Sequence, residues 1–192
     1  MAADILRARG DVPGPARRLQ SGVMDFDALI RDIPDFPSEG IVFKDITPLL
    51  DDPEGFGSAI DALAAPYEGR VDRVVGIEAR GFILAAPIAL RLGAGFVPMR
   101  KAGKLPAATI GQSYDLEYGT ATIEMHADAL AEGDRVLVVD DVLATGGTAE
   151  AAVALVTRAR ATVAGLTFLI ELDFLEGRTR LEGHDITTLL HY

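Results

Sequence analysis

The 192-residue chain contains no cysteine and no tryptophan. Without cysteine there is no disulfide framework and no thiolate metal site, and a reducing compartment fits. Aromatic residues make up only 6%. The core must therefore be built from Val, Leu, Ile and Ala, which suits alternating strands and helices. Histidine is scarce: His126, His184 and His191 are far apart, and no HExxH pair exists for a built-in zinc site. We read them as structural or surface residues. Positive charge is also in deficit, with 18 Lys and Arg against 29 Asp and Glu and a net charge of −11. That balance argues against a nucleic-acid partner, while local basic clusters can still hold a small polyanion. No apolar run reaches the ~18 residues of a membrane span. The opening "MAADILRARGDVPGPARRLQ" lacks the apolar middle of a signal peptide. The expectation is a soluble, cytoplasmic protein without a membrane partner.

What is present reads as strands alternating with helices. Residues 1–23, rich in Ala, Arg, Gly and Pro, have little periodicity and read as a loosely ordered extension. Residues 24–192 read as a single domain. "MDFDALIRDI" (24–33) predicts a short amphipathic helix with Phe26, Leu29 and Ile30 on one face. "IVFKDITPLL" (41–50) opens as a strand and stops at Pro48. Asp52 and Pro53 are an N-cap and a first helical residue. Strands are expected at 71–77, 95–100, 135–142, 164–172 and 185–190, and helices at 81–94 and 148–163. Residues 109–126 read as two extended arms joined near Glu117, Tyr118 and Gly119. Several strands lack polar alternation, which predicts a mostly parallel sheet covered on both faces. The two arms would be an antiparallel excursion from it.

The stretch "VVDDVLATGGT" (138–148) carries the chemistry. In an open α/β sheet, ligands bind outside the carboxyl ends of the strands, and Asp140 and Asp141 sit at such an end. Ala144, Thr145, Gly146, Gly147 and Thr148 then lead into a helix N-terminus. Free N–H groups and the positive dipole end favour an anion there, and glycines allow close approach. Carboxylates beside a phosphate cradle suit a phosphorylated sugar. There is no Walker GxxxxGK[ST] pattern and no GxGxxG fingerprint. Taken singly, the acids also fit a turn and the threonines a helix cap.

"VLVVDDVLATGGTA" resembles the phosphoribosyl-pyrophosphate (PRPP) signature of type I phosphoribosyltransferases. "IPDFPSEGIVFKDITPLL", "GIEARGF", "VPMRKAGKLP" and "SYDLEYG" follow in family order and are similar to the adenine-using branch. The resemblance runs from about residue 28 to the C-terminus. It implies a type I phosphoribosyltransferase fold: a central, mostly parallel sheet with flanking helices, a small hood (about 34–50) and a β-flap (about 104–126). The implied reaction joins adenine to PRPP, giving AMP and pyrophosphate in purine salvage. The resemblance also implies a homodimer, and Mg²⁺ brought in by PRPP with no all-protein metal site. The same chemistry on another base, or a PRPP-sensing regulator, are the rivals.

By resemblance, Ala144 to Thr148 hold the 5′-phosphate, and Asp140 and Asp141 hold the ribose hydroxyls. Ala79, Arg80 and Gly81 form the pyrophosphate loop, with Arg80 facing the leaving group and Glu78–Ala79 a candidate cis peptide. Relatives commonly carry Asp and Ser at the Glu78 and Ala79 positions. Arg100, Lys101 and Lys104 form a basic loop, with Arg100 or Lys101 reaching across the dimer and Lys104 working with the flap. Val42, Phe43 and Lys44 form the adenine hood, with Phe43 stacking on the base. Many relatives have Arg at the Lys44 position, and the two are not interchangeable in planar stacking. Glu117 would handle the proton on adenine, and Tyr118 would cover the reaction centre.

Overall fold

The computed structural model describes residues 24–115 and 119–192. The extension at 1–23 and the flap residues Glu117 and Tyr118 lie outside the described residues. Five strands run parallel: β3 (Arg73–Ile77), β4 (Gly95–Lys101), β7 (Arg135–Leu143), β8 (Thr162–Glu171) and β9 (Ile186–His191). The antiparallel arms β5 (Thr109–Asp115) and β6 (Thr120–His126) extend the sheet past β4. The sheet order is β5-β6-β4-β3-β7-β8-β9. A separate antiparallel ribbon pairs β1 (Arg31–Pro34) with β2 (Val42–Asp45).

Side chains alternate across a strand, so each central strand feeds two cores. Val75, Ile77 and Val138 face a cluster completed by Leu155 and Val156 of helix α4 (Gly147–Arg158). Their neighbours Val74, Leu137 and Val139 face the opposite cluster, with Leu63 of α2 (Pro53–Ala64) and Leu84 and Ile88 of α3 (Gly81–Leu92). Full burial of one such side chain contributes about 1.5–3 kcal/mol. This two-faced burial is why the strands read as unbroken apolar runs.

Local signals set the helix ends. The Asp52 carboxylate accepts from the amides of Glu54 (3.1 Å) and Gly55 (2.6 Å), capping α2 as expected. Gly93 ends α3 in the left-handed region, at φ 64°. No helix among the described residues is long and apolar enough to cross a membrane.

Three expected elements differ. The segment 24–33 forms only a 3₁₀ turn, Asp27–Leu29, before Arg31 to Pro34 enter β1. Phe26, Leu29 and Ile30 still pack on the core. Pairing with β2 recruits backbone that the apolar spacing alone assigned to a helix. Pro48 does not stop the chain but lies in the first turn of α1 (Thr47–Asp51), where its missing N–H costs nothing. Helix α4 ends at Arg158 rather than 163: Arg160 turns at φ 59°, and Thr162 starts β8 with its amide on the Asp134 carbonyl (2.8 Å).

Candidate active site

The carboxyl ends of the parallel strands gather the loops that carry chemistry. After β7, Ala144 to Thr148 line a hollow of about 70 Å³ with Asp140 and Phe168. That room exceeds a single water and suits a phosphate-sized anion. Gly146 stands at the threshold of α4 with φ 82°, a conformation other residues adopt at a cost. A Cβ there would meet the Gly177 carbonyl at 2.5 Å. A Cβ on Gly177 would in turn collide with the Ala144 carbonyl. Two backbones thus touch behind the cradle, and both positions require glycine.

The two acids of the signature differ in surroundings. Asp140 is half-buried, and its Oδ1 accepts from the amide of Asp141 (2.9 Å). Burial first, then the neighbouring Asp141 charge, push the Asp140 carboxyl well above its ordinary value. Asp141 is buried, and its Oδ2 forms an ion pair with Arg80 Nη2 at 2.7 Å. A Cβ on Gly81 would meet Asp140 Oδ1 at 2.7 Å. Close packing at this glycine seats the 79–81 loop directly against the signature acids. The Glu78–Ala79 peptide is cis, as expected from the sequence.

Arg80 also reaches the hood. Its guanidinium carbon lies 5.1 Å from the centre of the Phe43 ring, which meets Phe36 edge-on at 5.2 Å. Phe43 is half-buried and Val42 is exposed. Neither is buried, because β2 belongs to an outlying two-stranded ribbon. The Lys44 side chain turns elsewhere. Its ammonium lies 2.7 Å from Asp32 and 3.7 Å from the centre of the Tyr192 ring. The Lys44 charge is thus engaged by Asp32 and Tyr192.

The basic loop after β4 converges on Glu78. Glu78 Oε1 accepts from Lys104 Nζ (2.5 Å) and Arg100 Nη2 (3.2 Å), and Oε2 accepts from the Lys101 amide (3.1 Å). The Lys104 bond, then Arg100 and the Lys101 amide, hold the Glu78 carboxyl down at about 2. The Lys101 side chain is exposed, and no ion pair is found for it among the described residues.

The structure thus brings Phe43, Ala79, Arg80, Gly81, Arg100, Lys104, Asp140, Asp141 and the 144–148 loop to one end of the sheet. Reading the sequence missed Gly177, Arg180 and the pairing of Glu78. Arg180 pairs with Glu150 at 3.2 Å beside a second hollow of about 300 Å³ between β5 and α4. A lone glycine or arginine in a loop gives no periodic signal. The histidine expectation is partly tested by His191. Glu171, Asp173 and His191 lie close enough to hold a metal, with ligand atoms within 4.8 Å. Arg178 Nε, however, donates to both Glu171 oxygens (2.7 and 2.9 Å), and the His191 nitrogens face Asp173 and Thr188 (2.9 Å each). The cluster is a hydrogen-bonded stitch between β8 and β9.

The phosphoribosyl transferase domain family matches residues 50–189. Adenine phosphoribosyltransferase of Thermobifida fusca is 64% identical over 164 residues, covering 85% of this chain and 93% of the relative. The crystal structure of adenine phosphoribosyltransferase from Thermoanaerobacter pseudethanolicus superposes with a TM-score of 0.84 at 52% identity, covering 87% of this chain and 98% of that one. The Saccharomyces cerevisiae enzyme, solved with adenine and an imino-altritol bisphosphate, gives a TM-score of 0.82 at 42% identity, covering 86% and 96%. The chain belongs to the phosphoribosyltransferase family, in its adenine phosphoribosyltransferase branch.

Proposed function

We propose that this site moves the phosphoribosyl group of PRPP onto adenine, giving AMP and pyrophosphate, and that residues 24–192 act as one catalytic unit. The observation that carries the assignment is the contact of three parts: the phosphate-sized hollow at 144–148, Asp140 on its wall, and Gly81 packed on Asp140. A sugar with a phosphate at one end and a pyrophosphate at the other would span these parts. Family membership and the adenine bound in the yeast relative support the choice of base.

The residues divide the work. Amides and hydroxyls of Ala144 to Thr148 bind the 5′-phosphate at the start of α4. Asp140 and Asp141 accept from the ribose hydroxyls. Substitution occurs at the anomeric carbon: the bond to pyrophosphate breaks while a ring nitrogen of adenine bonds to that carbon. Positive charge develops on the sugar and negative charge on the leaving group. Ala79 and Gly81 amides, Arg80, Arg100, Lys101 and Lys104 stabilise the latter. Phe43 and Val42 pack on the purine, and the Lys44 backbone meets its edge. On the resemblance, Glu117 takes the proton that adenine loses, and Tyr118 excludes water that would otherwise hydrolyse PRPP.

The donors near the site fit Mg²⁺ that arrives on the substrate. Of the two signature acids, Asp140, which has no ion pair with Arg80, would be the one to help hold the ion. When bound, Mg²⁺ neutralises charge on the pyrophosphate oxygens.

A homodimer is part of this reading. Ile83, Ala86, Pro87 and Leu90 recur at helical spacing along the outer face of α3, with Leu90 85% exposed and Phe96 of β4 also exposed. Such an apolar stripe suits a second copy. Lys101, exposed where the basic loop leaves β4, would then reach the neighbouring site. A cytoplasmic location completes the reading and fits the absence of cysteine. The test is product formation from purified protein, PRPP, Mg²⁺ and adenine. AMP and pyrophosphate in equal amounts support the proposal, and no AMP contradicts it.

A further inference from the structure

Glu78 stands outside every role assigned so far, yet its carboxylate takes three donors from the end of β4 and the loop that follows it. It follows β3 directly, and its amide donates to the Met99 carbonyl of β4 (2.9 Å). Its side chain is only 10% exposed. One carboxylate collects the Arg100 guanidinium, the Lys104 ammonium and the Lys101 amide. Arg100 Nη1 then donates to the Lys104 carbonyl (3.1 Å), which closes the loop on itself. Exposed ion pairs hold little, because water and side-chain entropy compete. This carboxylate differs in being nearly buried and in taking three donors from one loop. Without it, two cations would converge with no anion between them.

We propose that Glu78 is a positioning residue for the pyrophosphate end of the substrate. It staples the cationic loop 100–104 to the end of β3, beside the 79–81 amides, before PRPP arrives. The inference rests on the phosphoribosyl-transfer reading above. Its logic is pre-organisation: a loop ordered in the free protein needs less ordering during binding. Glu78 touches the loop and not the reacting atoms. Its removal should therefore weaken the handling of PRPP and pyrophosphate while leaving adenine alone.

The experiment compares wild type, Glu78→Gln and Glu78→Asp in both directions of the reaction. Gln keeps the shape and loses the charge. Asp keeps the charge but is shorter by one methylene. For Glu78→Gln, KM for PRPP and for pyrophosphate should rise roughly tenfold, the scale of a charge-assisted hydrogen bond. KM for adenine should change less than about twofold. Glu78→Asp should lie between the two, and it carries the test if Glu78→Gln does not fold. Unchanged PRPP and pyrophosphate constants in the folded variants overturn the proposal, as does an equal loss for adenine. If wild type makes no AMP, the transfer reading fails first. Calorimetric titration with pyrophosphate then still tests the staple: equal affinity for wild type and the variants contradicts it.

Discussion

Arg80 and Asp141 form a 2.7 Å ion pair at the centre of the site, with the Asp141 side chain 8% exposed and that of Arg80 39% exposed. The pair ties the loop after β3 to the end of β7, and Arg80 continues to the Phe43 ring. The two adjacent acids of the signature therefore have different physical roles. Asp141 is a buried carboxylate with a cation, whereas burial and its neighbour raise the Asp140 carboxyl.

The two acids should separate on substitution. Asp141→Asn leaves Arg80 without its anion and should cost about 1–3 kcal/mol of stability as well as turnover. Asp140→Asn should cripple turnover without that loss. The sign follows from its raised carboxyl. Its charged form disfavours the fold, so stability falls as pH rises from the ordinary carboxylate range through the raised value. Asp140→Asn should therefore melt at or above the wild-type temperature at neutral pH. Thermal melts with initial rates check both, and identical melting behaviour would contradict the distinction.

Gly177 packs behind the proposed phosphate cradle. Gly177→Ala forces a Cβ into the Ala144 carbonyl, and Gly146→Ala forces one against the Gly177 carbonyl at φ 82°. Each should cost roughly 1–3 kcal/mol and raise KM for PRPP. Denaturant titration with PRPP saturation curves reads both effects. A Gly177→Ala enzyme with wild-type values would mean that this contact is slack.

The Glu78 carboxyl, held at about 2 by Lys104 and its companions, gives a signature in acid. A lowered carboxyl contributes stability above its unfolded value, and that contribution is lost as pH falls toward the folded one. The melting gap between wild type and Glu78→Gln should be full near pH 6 and narrower near pH 3. A gap that does not change over this window would contradict the pairing in solution.

Leu90 tests the proposed dimer. Leu90→Glu puts a charge on an 85% exposed leucine of the α3 stripe and should shift sedimentation from dimer toward monomer. If the loop acts across the interface, KM for PRPP should rise with dissociation. A variant that stays dimeric would place the interface elsewhere.

Much of this architecture was legible because it is periodic or chemically loud. The apolar runs at Val74–Val75 and Val136–Val139 announced strands buried on both faces. The acids and glycines of 140–148 announced a loop at a strand end, and the structure places a hollow there. The ribbon was not legible, because Arg31 to Ile33 gain strand structure only by pairing with residues a turn away. Contacts between distant loops were silent too. Nothing local marks Gly177 as the backing of Gly146, Glu78 as the partner of Lys104, or Asp32 and Tyr192 as the partners of Lys44. These relationships arise only when strand order brings loop ends together.

The most direct measurement is kcat/KM for PRPP-dependent nucleotide formation with adenine, hypoxanthine, xanthine and orotate as competing bases. The account predicts AMP and pyrophosphate from adenine, at least about a hundredfold above any other base, because a site built around one pattern of donors and acceptors rejects the others. Absence of AMP, or an equal or higher value for another base, would contradict it.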